Sequence, residues 1–137
     1  MNTMLKISDA ATLALHSMVF LAKDAKRERT IKEMAGALQA SEAHLSKVMQ
    51  RLVKAGFVKS HRGPQGGFKL AKAPSKISFL NLYETIDGQI ETGECLLGLG
   101  KASCKNCILG SLVSRINKLV AETFRAKKLA SVAHALK

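Results

Sequence analysis

Two short helical patterns, followed by a strand, a glycine-rich tip and a second strand, constrain the fold of this chain more than any other feature. The apolar spacing predicts helices over 31–38 and 42–55, separated by a tight turn. A strand is expected over 57–61, a loop over 62–67 and a returning strand over 68–71. Two helices at a short turn and a hairpin with a Gly-Pro-rich tip predict a winged helix-turn-helix.

Helical periodicity also accounts for most of the rest of the chain. The apolar spacing predicts four further helices, over residues 9–24, 79–86, 106–124 and 129–136. Candidate N-cap residues precede four of the predicted helices, at Ser8, Thr30, Ser41 and Ser78. The buried face of the first helix is expected to include Thr12, Leu15, Val19 and Ala22. The predicted fold class is therefore mainly α with a small β-hairpin wing.

The predicted elements divide the chain into three consecutive parts. Residues 1–75 form the winged helix-turn-helix, residues 76–105 a connecting helix and a cysteine-containing loop, and residues 106–137 a long helix and a C-terminal tail. A chain of 137 residues supports only a modest core. We therefore expect the long amphipathic helix to pair two copies of the chain as a homodimer.

The charge balance favours a polyanionic partner. Lys and Arg total 22 against 10 Asp and Glu, which gives a formal charge of +12. Nucleic acid is the leading candidate partner, and a membrane surface or plain solubility are the alternatives. No apolar run approaches the roughly 20 residues that span a bilayer, and the N-terminus lacks a signal-peptide layout. The expected location is therefore cytoplasmic, with no membrane partner.

The predicted helix over 42–55, here called the reading helix, and the wing carry the candidate DNA contacts. The N-terminal part of the reading helix would offer side chains to base edges, from Ser41, Glu42, His44 and Ser46. On the same helix, Lys47, Arg51 and Lys54 would meet the phosphates or the major groove. On the strands, Lys59 and Lys69 would contact phosphates. At the wing tip, Arg62 would enter the minor groove beside Gly63, Pro64, Gln65 and Gly66. The alternative is that these side chains form ordinary solvated faces.

All three cysteines lie in one stretch, at Cys95, Cys104 and Cys107. The last two form a C-x-x-C pair, a pattern that binds zinc, ligates iron–sulfur clusters or exchanges disulfides. In a reducing compartment, clustered cysteines favour metal or redox chemistry over a structural disulfide, although free buried thiols remain an alternative. The predicted 106–124 helix would place Cys107 in its first turn, where the positive helix end favours thiolate.

A fourth ligand is not evident among the residues near the cysteines. Glu94 is the nearest anionic candidate, and Asp9 and His16 of a dimer partner are two others. Neither residue needs to be a ligand. Asp9 could simply be a negative charge in the first turn of its helix, where the helix dipole favours it. His16 could be a partly buried polar residue. No alternation of strands and helices typical of thioredoxin surrounds the C-x-x-C pair, and no catalytic triad, phosphate loop or paired carboxylates appear elsewhere. The chain is therefore predicted not to be an enzyme.

The residues of this chain resemble the Rrf-type transcription regulators over nearly its whole length. The resemblance rests on Leu5-Lys6-Ile7-Ser8, the helix-turn-helix, Arg62–Phe68, Ile86-Asp87-Gly88 and the clustered cysteines before a long helix. It implies a homodimer that binds a two-fold symmetric duplex DNA site through two winged helices. It also implies an iron–sulfur cluster in each subunit, 2Fe-2S or 4Fe-4S, held by Cys95, Cys104 and Cys107. The family also contains members without a cluster.

The chain departs from the family pattern at two positions. Its middle cysteine, Cys104, lies close to the third, whereas cluster-binding members space their cysteines more evenly. Gly110 stands where some members have a histidine ligand. Other members take a ligand from the first helix of the partner subunit, which keeps Asp9, Thr12 and His16 as candidates.

Overall fold

A computed structural model describes residues 5–64, 66–90, 95–96 and 106–136. The helices in this part of the chain are α1 (Asp9–Ala22), α2 (Ile31–Leu38), α3 (Glu42–Lys54), α4 (Phe79–Asp87) and α5 (Leu112–Ala126). Strands β1 (Val58–His61) and β2 (Gly67–Leu70) pair as an antiparallel hairpin. Single 3₁₀ turns occur at Pro74–Lys76 and Leu129–Val132. The predicted fold class, mainly α with a β-hairpin wing, is confirmed.

Hydroxyl side chains begin the first four helices, as predicted. The Ser8, Ser41 and Ser78 hydroxyls accept bonds from the backbone N–H groups of residues 11, 44 and 81 at 3.0–3.1 Å. At α2, Thr30 and Glu33 form a complete capping box, in which each side chain accepts a bond from the other residue's N–H at 3.1 Å. These bonds satisfy backbone donors that have no partner inside the helix.

Helix α1 lies at the centre of the fold and packs against α2, α3, α4 and β2. Leu15, Val19 and Ala22 of the predicted face are buried, but Thr12 is exposed. Ala11, Ala14 and Met18 are fully buried in addition. Small side chains at positions 11 and 14 let neighbouring helices approach α1 closely. The core also contains Leu45, Val48, Met49 and Leu52 of α3.

The wing is joined to the segment that precedes α2. Arg29 exchanges two backbone hydrogen bonds with Phe68 of β2, at 2.9 and 2.8 Å. The two residues form an isolated antiparallel β-bridge on the edge of the hairpin. Beside this bridge, a Cβ atom on Gly67 would stand only 2.6 Å from the Arg29 carbonyl oxygen, so only glycine fits. This bridge was not predicted from the sequence.

Helix α5 begins six residues later than predicted. Its first residue is Leu112, and the residues before it form turns in which Gly110 has a positive φ of 61°. A left-handed residue cannot continue a right-handed helix, so Cys107 precedes α5 and does not lie in its first turn. No helix in the described part of the chain is long and apolar enough to cross a membrane.

The C-terminal half of α5 packs against α4, and the tail after it packs against α1 and the turn at Pro74–Lys76. The ring of Phe124 meets those of Tyr83 and Phe79 edge-on, with centroids 5.6 and 6.3 Å apart. Burial, and after it the nearby Asp87 carboxylate, raise the pKa of the Tyr83 phenol above its ordinary value. Leu129 is fully buried, and its N–H donates to Ile77 at 2.8 Å. The tail forms a 3₁₀ turn at Leu129–Val132 where a helix over 129–136 was predicted.

Candidate nucleic-acid interface

Helix α3 presents its polar side chains on the face opposite the core. Six of the predicted DNA contacts on and before this helix are exposed, namely Ser41, Glu42, His44, Lys47, Arg51 and Lys54. Ser46 is half-buried. The apolar positions of α3 fix this orientation because they are buried in the core. A surface helix with a basic outer face is suited to lie in the major groove of DNA.

The wing and α3 border one shallow groove. Its lining includes Ser46 of α3 together with His61, Arg62 and Gly63 of the wing, around a volume of about 310 Å³. Lys59, Arg62, Gly63 and Pro64 are exposed, Gly66 and Lys69 are half-buried, and Gln65 lies outside the described residues. The fold therefore brings candidate contacts from both elements to the same surface, which is required if both are to bind one duplex.

His61 at the end of β1 and Lys72 after β2 have partners within the protein. The His61 imidazole lies 3.5 Å from the Glu28 carboxylate, which joins the end of β1 to the segment before α2. The Lys72 ammonium lies over the Phe57 ring at 4.9 Å from its centroid. The Lys72 contact lies at the base of the hairpin and the His61 contact next to its tip, where Arg62 is exposed.

Arg51 differs from the other cations of α3 because its guanidinium bonds to another helix. One of its terminal nitrogens, Nη2, donates to the Ile86 carbonyl at 2.6 Å and to the Thr85 carbonyl at 3.3 Å. The exposed side chains of Lys47 and Lys54 lie on either side of it along the helix. A phosphate contact for Arg51 stays a prediction, but the contact seen here holds the end of α4.

Two of the three predicted cysteine ligands fall within the described residues. Cys95 is half-buried and Cys107 is exposed, whereas Cys104 and the candidate ligand Glu94 lie outside the described residues. The Leu109 N–H donates to the Cys107 sulfur at 3.4 Å, within the turn that precedes α5. Amide–sulfur bonds of this kind tune the sulfur ligands of iron–sulfur clusters. In the described ranges, no three His, Cys, Asp or Glu side chains are grouped closely enough to hold a metal.

The remaining candidate ligands, Asp9, Thr12 and His16, lie together on α1 beside the start of α3. Asp9 and His16 of α1 line a cavity of about 420 Å³ with Ser41 and His44 at the start of α3. His16 is exposed, and its Nδ1 lies 2.7 Å from the Thr12 carbonyl oxygen of its own helix. The sequence did not indicate that His44 shares this cavity, because the juxtaposition depends on how α1 packs against α3.

Comparison with known proteins shows the family of this chain. A family model named Rrf2, described as an iron-dependent transcriptional regulator, matches residues 7–135. The chain belongs to the Rrf2 family. Rrf2 proteins are transcription regulators and not enzymes, which confirms both the resemblance and the prediction that the chain is not an enzyme.

Individual Rrf2 relatives match most of the chain. An rrf2-like HTH-type transcriptional regulator of Rhodobacter capsulatus is 34% identical over 122 residues, covering 86% of this chain and 81% of the relative. The HTH-type transcriptional regulator NsrR of Geobacillus kaustophilus is 31% identical over 106 residues, covering 77% and 69%. The structure of CymR, the global cysteine regulator of B. subtilis, superposes with a TM-score of 0.80 at 30% identity, covering 98% of this chain and 100% of CymR.

The exposed wing tip generates the first testable prediction. Replacing Arg62 with Ala should weaken duplex binding by about 1–3 kcal/mol, because a cation that enters the DNA groove is lost. If Arg62 also neutralises a phosphate, the slope of log K against log salt should fall by about 0.9. Fluorescence anisotropy over a salt series measures both quantities. The matched control is Arg115→Ala, which removes an exposed arginine from α5. Equal affinities for the two variants would remove the wing from the interface.

Proposed function

We propose that this Rrf2 protein binds a two-fold symmetric DNA site as a homodimer, and that an iron–sulfur cluster on Cys95, Cys104 and Cys107 sets its DNA affinity. One observation carries the proposal: all three cysteines lie in the chain between α4 and α5, residues 88–111, here called the cysteine segment. At one end of this segment, α4 packs against α3. At its other end, α5 presents an uncovered apolar face.

The donor chemistry of the cysteine segment fits an iron–sulfur group. Three thiolates are the soft ligands that such clusters use, and the Leu109 N–H bonded to Cys107 is a suitable outer partner for a ligating sulfur. The family model's description as iron-dependent agrees with this choice of metal. When bound, the cluster supplies a group whose charge and integrity respond to iron supply, oxidants or nitric oxide. The fourth ligand is assigned to Glu94, or to Asp9 or His16 of the second subunit.

The exposed apolar face of α5 supports the homodimer. Leu112, Ile116 and Leu119 recur at three- and four-residue spacing, and Ile116 and Leu119 are 47% and 64% exposed. A contiguous apolar stripe of this kind on a soluble protein marks an interaction site. A second copy of α5 covers it most simply, because a two-fold axis brings the same stripe of both subunits together. Such a dimer carries two reading helices, as a symmetric DNA site requires.

The chain's own residues then perform separate tasks. The outer face of α3 contacts the major groove, and the wing tip contacts the adjacent minor groove. The thiolates of the cysteine segment hold the cluster, while the turn formed by residues 107–110 presents Cys107 ahead of α5. A group that binds one arrangement of the two reading heads better than another shifts the population between them. Regulation of DNA binding follows from that difference in affinity.

A test of the cofactor compares the variant Cys107→Ser with the control Ser114→Ala. Anaerobically reconstituted protein should be brown, with visible absorption bands and bound iron. Cys107→Ser should lose most of the iron and the bands, because serine offers no soft thiolate. Ser114→Ala, which removes a hydroxyl near the start of α5, should keep both. A colourless wild-type protein after reconstitution would contradict the cluster.

A test of the dimer uses a charge placed on α5. Ile116→Glu or Leu119→Glu should shift the protein from dimer to monomer in light scattering, because a carboxylate would be buried without a partner. Lys118→Glu introduces the same carboxylate on the same helix, at an exposed position outside the stripe, and should leave the dimer intact. If all three variants have the same molar mass in solution, α5 does not form the dimer interface.

A second candidate function is a regulator without a cluster. The observation that favours it is the match to the structure of CymR, the global cysteine regulator of B. subtilis, over nearly the whole chain. In that case the cysteines are free thiols or bind structural zinc. Metal analysis of anaerobically prepared protein separates the two functions, because only the first predicts iron in proportion to protein.

A further inference from the structure

The end of α4 is held by two other helices. The last carbonyl groups of a helix have no partner inside it, and here Arg51 of α3 donates to those of Thr85 and Ile86. From the other side, the Ser8 hydroxyl at the start of α1 donates to the Asp87 carboxylate at 2.6 Å. The chain leaves α4 at Gly88, where the cysteine segment begins. Helices α1, α3 and α4 therefore meet at the first residue of that segment.

Arg51 is suited to transmit a change in position from α4 to α3. Its guanidinium places a positive charge against the negative end of the α4 dipole, which makes its bonds stronger than those between neutral groups. Arg51 lies in the last turn of α3, so its bonds fix where the C-terminal end of the reading helix stands relative to α4. Leu52, the next residue, is fully buried, which prevents α3 from rotating to release the contact.

We propose that Arg51 is a positioning residue, which links the cysteine segment to the reading helix and does not contact DNA. The inference rests on the proposed function for its regulatory meaning. A change in the cysteine segment moves the end of α4, and Arg51 carries that movement to α3. The two possible roles of Arg51 differ in measurable ways. A phosphate contact contributes to the salt dependence of binding, whereas an internal link contributes to the difference between two states of the protein.

The experiment compares Arg51→Gln and Arg51→Lys with the control Lys47→Gln, which removes an exposed cation from the same helix. For each protein, anisotropy gives the salt dependence of binding to a duplex in the iron-free form. Affinity is then measured for the reconstituted and iron-free forms at one salt concentration. Hydrogen exchange of the amides over residues 85–90 is measured in the iron-free protein without DNA.

The expected results separate the variants. Arg51→Gln should keep the wild-type salt slope, reduce the affinity ratio between the two forms by about fivefold or more, and speed exchange over 85–90. Lys47→Gln should lower the slope by about 0.9 and leave the ratio and the exchange unchanged. Arg51→Lys should recover part of the ratio and of the protection, since an ammonium still donates to a carbonyl.

The opposite results overturn the inference. Arg51 contacts DNA if Arg51→Gln lowers the salt slope as Lys47→Gln does. In that case the affinity ratio between the two forms and the hydrogen exchange over 85–90 stay unchanged. A wild-type affinity that is the same with and without iron overturns the proposed function instead. The slope and the exchange then still decide whether Arg51 holds α4 or a phosphate. If Arg51→Gln does not fold, as judged by circular dichroism, the same three measurements on Arg51→Lys decide.

Discussion

The hydrogen bonds at the end of α4 are the constraint on which the rest of this structure depends. The orphan carbonyls there need donors, and Arg51 supplies them from 34 and 35 residues away in the sequence. Packing alone would allow α3 and α4 to slide along each other, since apolar contacts are non-directional. A charge-assisted bond of 2.6 Å fixes one relative position. The reading helix, the central helix and the start of the cysteine segment are thereby kept in register.

Helix α5 is anchored at one end and uncovered along the rest. Phe124 packs against the rings of Tyr83 and Phe79, in a cluster where burial raises the pKa of the Tyr83 phenol. Toward its start, the apolar side chains of α5 have solvent in front of them. A subunit built in this way directs its uncovered helix face away from its own core. The proposed second copy of the chain would then cover that face and complete the regulator.

Local chemistry made much of the fold predictable from the sequence. The caps at Ser8, Thr30, Ser41 and Ser78 and the buried face of α3 are short-range features, and they placed four helices within two residues of their observed ends. The start of α5 was wrong because the apolar spacing continues through Leu109, whereas Gly110 adopts a left-handed conformation that breaks the helix. Periodicity records which side chains are apolar and does not record φ.

Long-range contacts of the candidate site were beyond the sequence. The Arg29–Phe68 bridge and the cavity shared by Asp9, His16 and His44 depend on how distant segments pack. Arg51 shows the limit most clearly, because its spacing from Lys47 and Lys54 placed it on a basic face. Only the fold reveals that its guanidinium bonds to α4. Charge and spacing identify a candidate surface, and the partners of each charge decide its role.

The central claim is that an iron–sulfur cluster held by the cysteine segment sets the affinity for DNA. Its most direct test is one anaerobic sample, titrated with a duplex recovered by in vitro selection before and after a chelator removes its iron. The account predicts that the dissociation constants differ by about tenfold or more, a coupling of about 1.4 kcal/mol. Superimposable binding curves from a sample that held iron before the chelator and none after it would contradict the claim.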